Sequence, residues 1–156
     1  MKSVLFVCWG NICRSPAAEG VLRHALAERG LEGAVDVESA GTISYHQGEP
    51  PDERMRQAAA ARGWDLQGAS RPVETEDFDR FDLIVAMDSK NLADLQGLEG
   101  QAAARVRLFS DFLPAGSPED VPDPYYGGER GFDRVLDLLE LGMPSLLEEL
   151  LEEDLD

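Results

Sequence analysis

The sequence predicts an α/β fold, a four-stranded parallel sheet with helices on both faces. Two observations predict it. Four short stretches, Ser3 to Val7, Ala34 to Ser39, Phe81 to Met87 and Arg105 to Phe109, alternate with segments of helical periodicity or turn residues, the order that builds parallel sheets. The first of them is apolar and β-branched or aromatic, as a strand buried on both faces must be. Ligands of such sheets lie outside the carboxyl ends of the strands. The turn Val7-Cys8-Trp9-Gly10-Asn11-Ile12-Cys13-Arg14-Ser15-Pro16 falls there.

Each helix has its own start and stop signals. In the first, Ser15 is expected to cap, Pro16 to take the first position, and Ala18, Val21, Leu22, Ala25 and Leu26 to line one face before Gly30 ends it. A second starts at Pro51 or Asp52 and runs through Met55, Ala58, Ala59 and Arg62 to Gly63, and a short third starts at Asp88 or Ser89 and passes Leu92 and Leu95. The last begins near Gly131. Its apolar side is Phe132, Val135, Leu136, Leu139, Leu146, Leu147, Leu150 and Leu151, with acidic residues elsewhere, the pattern of an amphipathic helix docked on the sheet. Pro144 is expected to kink or interrupt it.

Composition narrows the function. The 156 residues, 43% of them apolar, suit one domain over 1–156. No run of 18 apolar residues occurs, and the amino terminus enters a strand without a basic region or a small-residue cleavage site, so neither a membrane span nor a signal peptide is expected. Two cysteines, both in the opening loop, point to a reducing compartment, the cytoplasm. A formal charge of −17 argues against nucleic acid and against anionic membrane surfaces. A monomer is the default expectation. An anion bound by so acidic a chain needs a small preorganised site, and the loop holding Arg14 is the best candidate.

That loop sits at a helix N-terminus, where unpaired amides and the macrodipole favour an anion. Arg14 can grip two phosphoryl oxygens with a planar fork that stays charged. Beneath the phosphorus, Cys8 would be the nucleophile, its thiolate favoured by the helix terminus and the guanidinium. Gly10 lets the backbone approach the anion, Asn11 tolerates a left-handed conformation that turns successive amides inward, and Ser15 can donate to the sulfur. Taken alone, a cysteine and an arginine six positions apart are also compatible with an inert buried thiol and a surface arginine. Two cysteines with only His24 and His46 elsewhere make a poor metal-ligand set. Cys13 is either a small packing residue or the partner of Cys8 in a reversible disulfide.

The full string Val7 to Pro16, with Ser39-Ala40-Gly41-Thr42, Gly48-Glu49-Pro50-Pro51-Asp52, Met87-Asp88 with Asn91, and Asp123-Pro124-Tyr125-Tyr126-Gly127, resembles the low-molecular-weight protein tyrosine phosphatases over nearly the whole chain. The resemblance implies a flavodoxin-like sheet, Cys8 as nucleophile, Arg14 as oxyanion ligand and Asp123 as general acid, with no metal or organic cofactor. It implies a phosphotyrosine-containing protein or a small aryl phosphate as substrate. It also places Asp88 near the loop arginine as an orienting partner, whereas the residue alone reads as a helix cap. One departure is visible. Where the family often carries a histidine in a network behind the loop, Gln67-Gly68-Ala69-Ser70 has none.

An aspartate before proline is by itself ordinary turn chemistry. With the resemblance, Asp123 becomes the acid that protonates a departing phenolate and then the base that takes a proton from water. Tyr125 and Tyr126 are expected to form one wall of a slot for a flat ring, with Tyr45 and Trp9 on other sides. Tyr45 matches an aromatic position of the family's rim, while Trp9 is assigned from its place after the nucleophile. His46 reads as a substrate contact or a solvated residue. Among rivals, an arsenate reductase relay needs thiols beyond Cys13 that this chain lacks, and arginine phosphatases of related type carry Thr where this loop has Ile12. A phosphate-binding module without turnover would need neither a thiolate nor an acid.

Overall fold

The computed structural model describes residues 2–98, 105–125 and 129–152. The elements run β1 (Lys2–Cys8), α1 (Arg14–Glu28), β2 (Val35–Gly41), α2 (Glu53–Ala60), α3 (Asp77–Arg80), β3 (Leu83–Ala86), α4 (Ser89–Leu98), β4 (Arg105–Leu108), a 3-10 turn (Phe109–Phe112) and α5 (Glu129–Glu152). All strands are parallel in the order β2-β1-β3-β4. The predicted sheet is therefore observed. Since β2 and β3 flank β1 on opposite sides, the chain reverses direction across the sheet beside the end of β1, where an open α/β sheet leaves a crevice.

The two-residue period of β1 divides its side chains between two cores. Val4, Phe6 and Cys8 join residues of α1, α2 and α5 in one, while Leu5 and Val7 join Phe78, Phe81, Ile84, Ala86 and Leu95 in the other. Both faces of the central strand are thus closed, which explains its unbroken apolar run.

Helix α1 differs from expectation at its start. It begins at Arg14 with Cys13 in the capping position and no side-chain cap, because the Ser15 hydroxyl is engaged with Cys8 and Asn11 instead. Its end agrees, with Gly30 at φ 69°. Asp52 caps α2 by accepting from the Arg54 amide at 2.8 Å, and Asp88 Oδ1 accepts from the Asn91 amide at 2.7 Å in the first turn of α4. The four-residue α3 was not anticipated, being too short to show a period. Pro144 lies inside α5 without interrupting it. A proline costs a helix about 3 kcal/mol, and here Leu139, Met143, Leu146, Leu147 and Leu150, all buried, hold both sides of it in the core.

Beyond the 3-10 turn, residues 113–125 run without helix or strand. Val121 anchors this segment, fully buried and donating its amide to the Met87 carbonyl at 2.9 Å, just past the end of β3. That contact brings residues after Val121 to the crevice beside β1.

Candidate active site

Cys8 ends β1 at 2% exposure, its Sγ 3.0 Å from Ser15 Oγ. Ser15 Oγ also accepts from Asn11 Nδ2 at 2.8 Å and lies 3.4 Å from the Ala40 carbonyl, to which it donates, so the hydroxyl can turn its one proton to that carbonyl or to the sulfur. Asn11 is the one non-glycine residue with positive φ among those described, at 57°. Its side chain holds that conformation by also donating to Ser39 Oγ at 3.0 Å and accepting from the Arg71 amide at 3.0 Å. The turn after β2 backs the loop, with the Thr42 and Ile43 amides on the Cys8 and Trp9 carbonyls at 3.0 and 3.1 Å. Gly41 lies so close that a Cβ there would come within 2.8 Å of the Trp9 carbonyl oxygen.

Arg14 is 2% exposed, and a guanidinium so buried requires partners. Its Nη1 donates to Asp88 Oδ2 at 2.5 Å and to the Val121 carbonyl at 3.0 Å, while Nη2 lies 3.6 Å from Asp123 Oδ2. Burial alone pulls this guanidinium down, but Cys8, the hydrogen bond to Asp88, and the charges of Asp88 and Asp123 outweigh it, so the net shift is upward. Asp123 is partly exposed at 35%, and its Oδ1 accepts from the Tyr125 amide at 3.0 Å. Cys8, Trp9, Gly10, Ile12, Cys13, Arg14, His46, Asp123 and Tyr125 line one narrow cavity. A thiol, a fixed guanidinium and a carboxyl group thus face a common space, the set required for attack on a phosphoryl group and protonation of what leaves.

A family model described as low molecular weight phosphotyrosine protein phosphatase matches residues 3–155. The chain belongs to that family. It is similar to a low molecular weight protein-tyrosine-phosphatase of Streptomyces coelicolor, 44% identical over 92% of this chain and 90% of the relative. Among solved structures it resembles a protein tyrosine phosphatase from Entamoeba histolytica, with a TM-score of 0.94, 42% identity, and 99% of each chain covered. The Drosophila arginine phosphatase is also similar, with a TM-score of 0.88 and 32% identity, covering 96% of this chain and 97% of the other. Members of this family are hydrolases acting on phosphoric monoesters, so phosphoproteins or phosphate esters are the substrate class.

Within this phosphatase fold, the shell behind the loop is built without the histidine. Ser70, 4% exposed, donates its hydroxyl to the Gly10 carbonyl at 3.0 Å, and the next residue supplies the Arg71 amide to Asn11. Arg71 is itself fixed by Asp77, whose two oxygens accept from its Nη1 and Nη2 at 2.9 and 3.0 Å. The alternatives for Asp88 resolve into both at once, since one carboxylate oxygen caps α4 and the other holds Arg14.

Tyr45 is 83% exposed and outside the cavity lining, packed edge-on against His46 with ring centroids 4.8 Å apart. His46 is not solvated. It is 9% exposed, faces the Tyr125 ring at 6.0 Å, and shares a 2.5 Å contact between Nδ1 and Glu49 Oε2. Trp9 and Tyr125 line the cavity, and the expectation for Tyr126 lies outside the described residues. Both cysteines are free. Burial first, then the charges of Asp52, Cys8 and Asp123, push the Cys13 thiol far up, so it stays protonated.

A larger cleft, about 590 Å³, lies between α1 and α5 around His24, Trp64 and Met143. It holds none of the predicted site residues. Among the described residues, no cluster of three or more His, Cys, Asp or Glu is placed to hold a metal, and no helix is long and apolar enough to cross a membrane.

Proposed function

We propose that this chain hydrolyses phosphotyrosine and related aryl phosphate monoesters through a cysteinyl-phosphate intermediate. The observation that carries the reading is the meeting of Cys8, Arg14 and Asp123 at one cavity. With Nη1 of Arg14 engaged by Asp88 and Val121, the rest of the fork and the loop amides bind the phosphoryl oxygens. Cys8 Sγ attacks phosphorus as the bond to the aryl oxygen breaks, and protonated Asp123 gives its proton to that oxygen. Water then attacks the phosphorus on Cys8, Asp123 carboxylate takes a proton from it, and the S–P bond breaks to release phosphate and thiolate. Ser15 stabilises the thiolate at both ends of the cycle. Ile12, Trp9 and Tyr125 around the opening favour a flat, apolar leaving group. The two free cysteines support a reducing compartment, the cytoplasm.

Phosphoarginine is the competing substrate, because a solved relative is named an arginine phosphatase. Steady-state turnover of an aryl phosphate, a phosphotyrosine peptide and phosphoarginine decides between them. Cys8→Ser is expected to abolish turnover while retaining phosphate binding. Asp123→Asn is expected to slow substrates with poor leaving groups by about 10² or more and good ones much less. Faster turnover of phosphoarginine than of either aryl substrate would overturn the assignment.

A further inference from the structure

We propose that Arg54 is a positioning residue for the acid, tying the loop that carries Asp123 to the loop that carries Cys8. The proposal rests on the assignment of Asp123 as general acid. Residues 113–125 have no regular structure of their own, so the aim of the Asp123 carboxyl depends on what grips the chain on either side. Upstream the grip is Val121, bonded to Met87 and Arg14. Downstream it is Tyr125, whose amide donates to Asp123 Oδ1.

Arg54 meets Tyr125 in two ways. Its Nη2 donates to the Tyr125 carbonyl at 3.4 Å, and its guanidinium carbon lies 5.4 Å from the centre of the ring. The arginine is held in turn. Nε and Nη2 donate to Asp52 Oδ1 and Oδ2 at 3.1 and 3.0 Å, and the guanidinium lies 4.8 Å from the centre of the Phe132 ring on α5. Asp52 closes the path by donating its amide to the Ile12 carbonyl at 2.7 Å. Ile12, Asp52, Arg54, Tyr125 and Asp123 therefore form one connected series between nucleophile and acid.

The residue type fits the task. Only a planar fork can hold both oxygens of Asp52 and stack on two rings. The Arg54 side chain is 48% exposed, and exposed ion pairs add little stability. What such a pair supplies here is direction, and small displacements of a catalytic group are costly in rate.

The test is Arg54→Met, which keeps the stem over the rings and removes the guanidinium, alone and combined with Asp123→Asn. The readout is kcat/KM for phenyl phosphate and for 2,4-dinitrophenyl phosphate, with inhibition by inorganic phosphate as a check on the phosphate loop. The single variant is expected to lose about 10-fold on phenyl phosphate and less than about 2-fold on the dinitrophenyl ester, with phosphate inhibition unchanged. In the Asp123→Asn background it is expected to cost nothing further. Equal loss on both esters, no loss, weakened phosphate inhibition, or a full additional loss in the double variant overturns the positioning role. If Asp123→Asn by itself slows both esters alike, the acid assignment fails first and takes this proposal with it.

Discussion

Asp88 and Arg14 stand 74 positions apart in sequence and 2.5 Å apart in space. The aspartate follows β3, the arginine opens α1, and their meeting is a direct result of β1 and β3 lying side by side. Because Asp88 also caps α4 through its other oxygen, two roles rest on one side chain and can be separated by magnitude.

Asp88→Ala is expected to destabilise the fold by about 3 kcal/mol, the loss of the nearest partner of a buried guanidinium that keeps Val121 and Asp123 beside it, added to the loss of a cap. Inorganic phosphate, which binds only the folded state, should restore part of that loss by giving Arg14 another partner. Urea unfolding with and without phosphate measures both. A loss under about 1 kcal/mol, insensitive to phosphate, would reduce Asp88 to a cap.

Asn11 combines a left-handed backbone with a side chain that reaches Ser15, Ser39 and Arg71. Asn11→Gly removes the bonds and keeps the conformation, whereas Asn11→Ala removes both. Alanine should therefore be the less stable variant by about 0.5–1 kcal/mol, even after glycine's greater freedom in the unfolded chain is counted. Both should lose kcat/KM, measurable on an aryl phosphate. Equal stability of the two would show that the turn relaxes without strain.

Glu19 gives a pH signature. Burial raises its carboxyl above the ordinary 4.5, and its bonds from Arg23 and Ser39 offset only part of that. The folded state thus holds this proton more tightly than the unfolded state, so its contribution is complete below 4.5 and is lost as pH rises through the folded value. Glu19→Gln is expected to raise Tm relative to the parent at about pH 7 and to bring no gain below the ordinary carboxyl value. Thermal melts across that range check it, and a gain that grows toward acid would reverse the sign.

Much of this molecule was legible in its residues. The four strands lie within two residues of the stretches that announced them, and burial on both faces leaves the central β1 and β3 the plainest pattern, while the edge strands β2 and β4 are only partly buried. Cys8, Arg14 and Ser15 could be read because their chemistry is carried by side chains close together in sequence. Asp123 could not be read that way, since Asp-Pro is common in turns and only the resemblance gave it a role. The loop's supporting shell was hidden for another reason. The Arg71 amide that holds Asn11 is main chain, which every residue but proline possesses, and Ser70 became visible only when its hydroxyl was found on Gly10. Pro144 misled because local helix preference gave way to a long buried face.

Cys8, the proposed nucleophile, is also a member of the larger core, sharing its cluster with Phe6, Leu22, Leu139 and Met143. Catalytic competence and internal packing are therefore not separate properties in this chain. Substitutions deep in α5, remote from any substrate, act on the same close-packed layer that seats the sulfur, and close-packed interiors transmit strain.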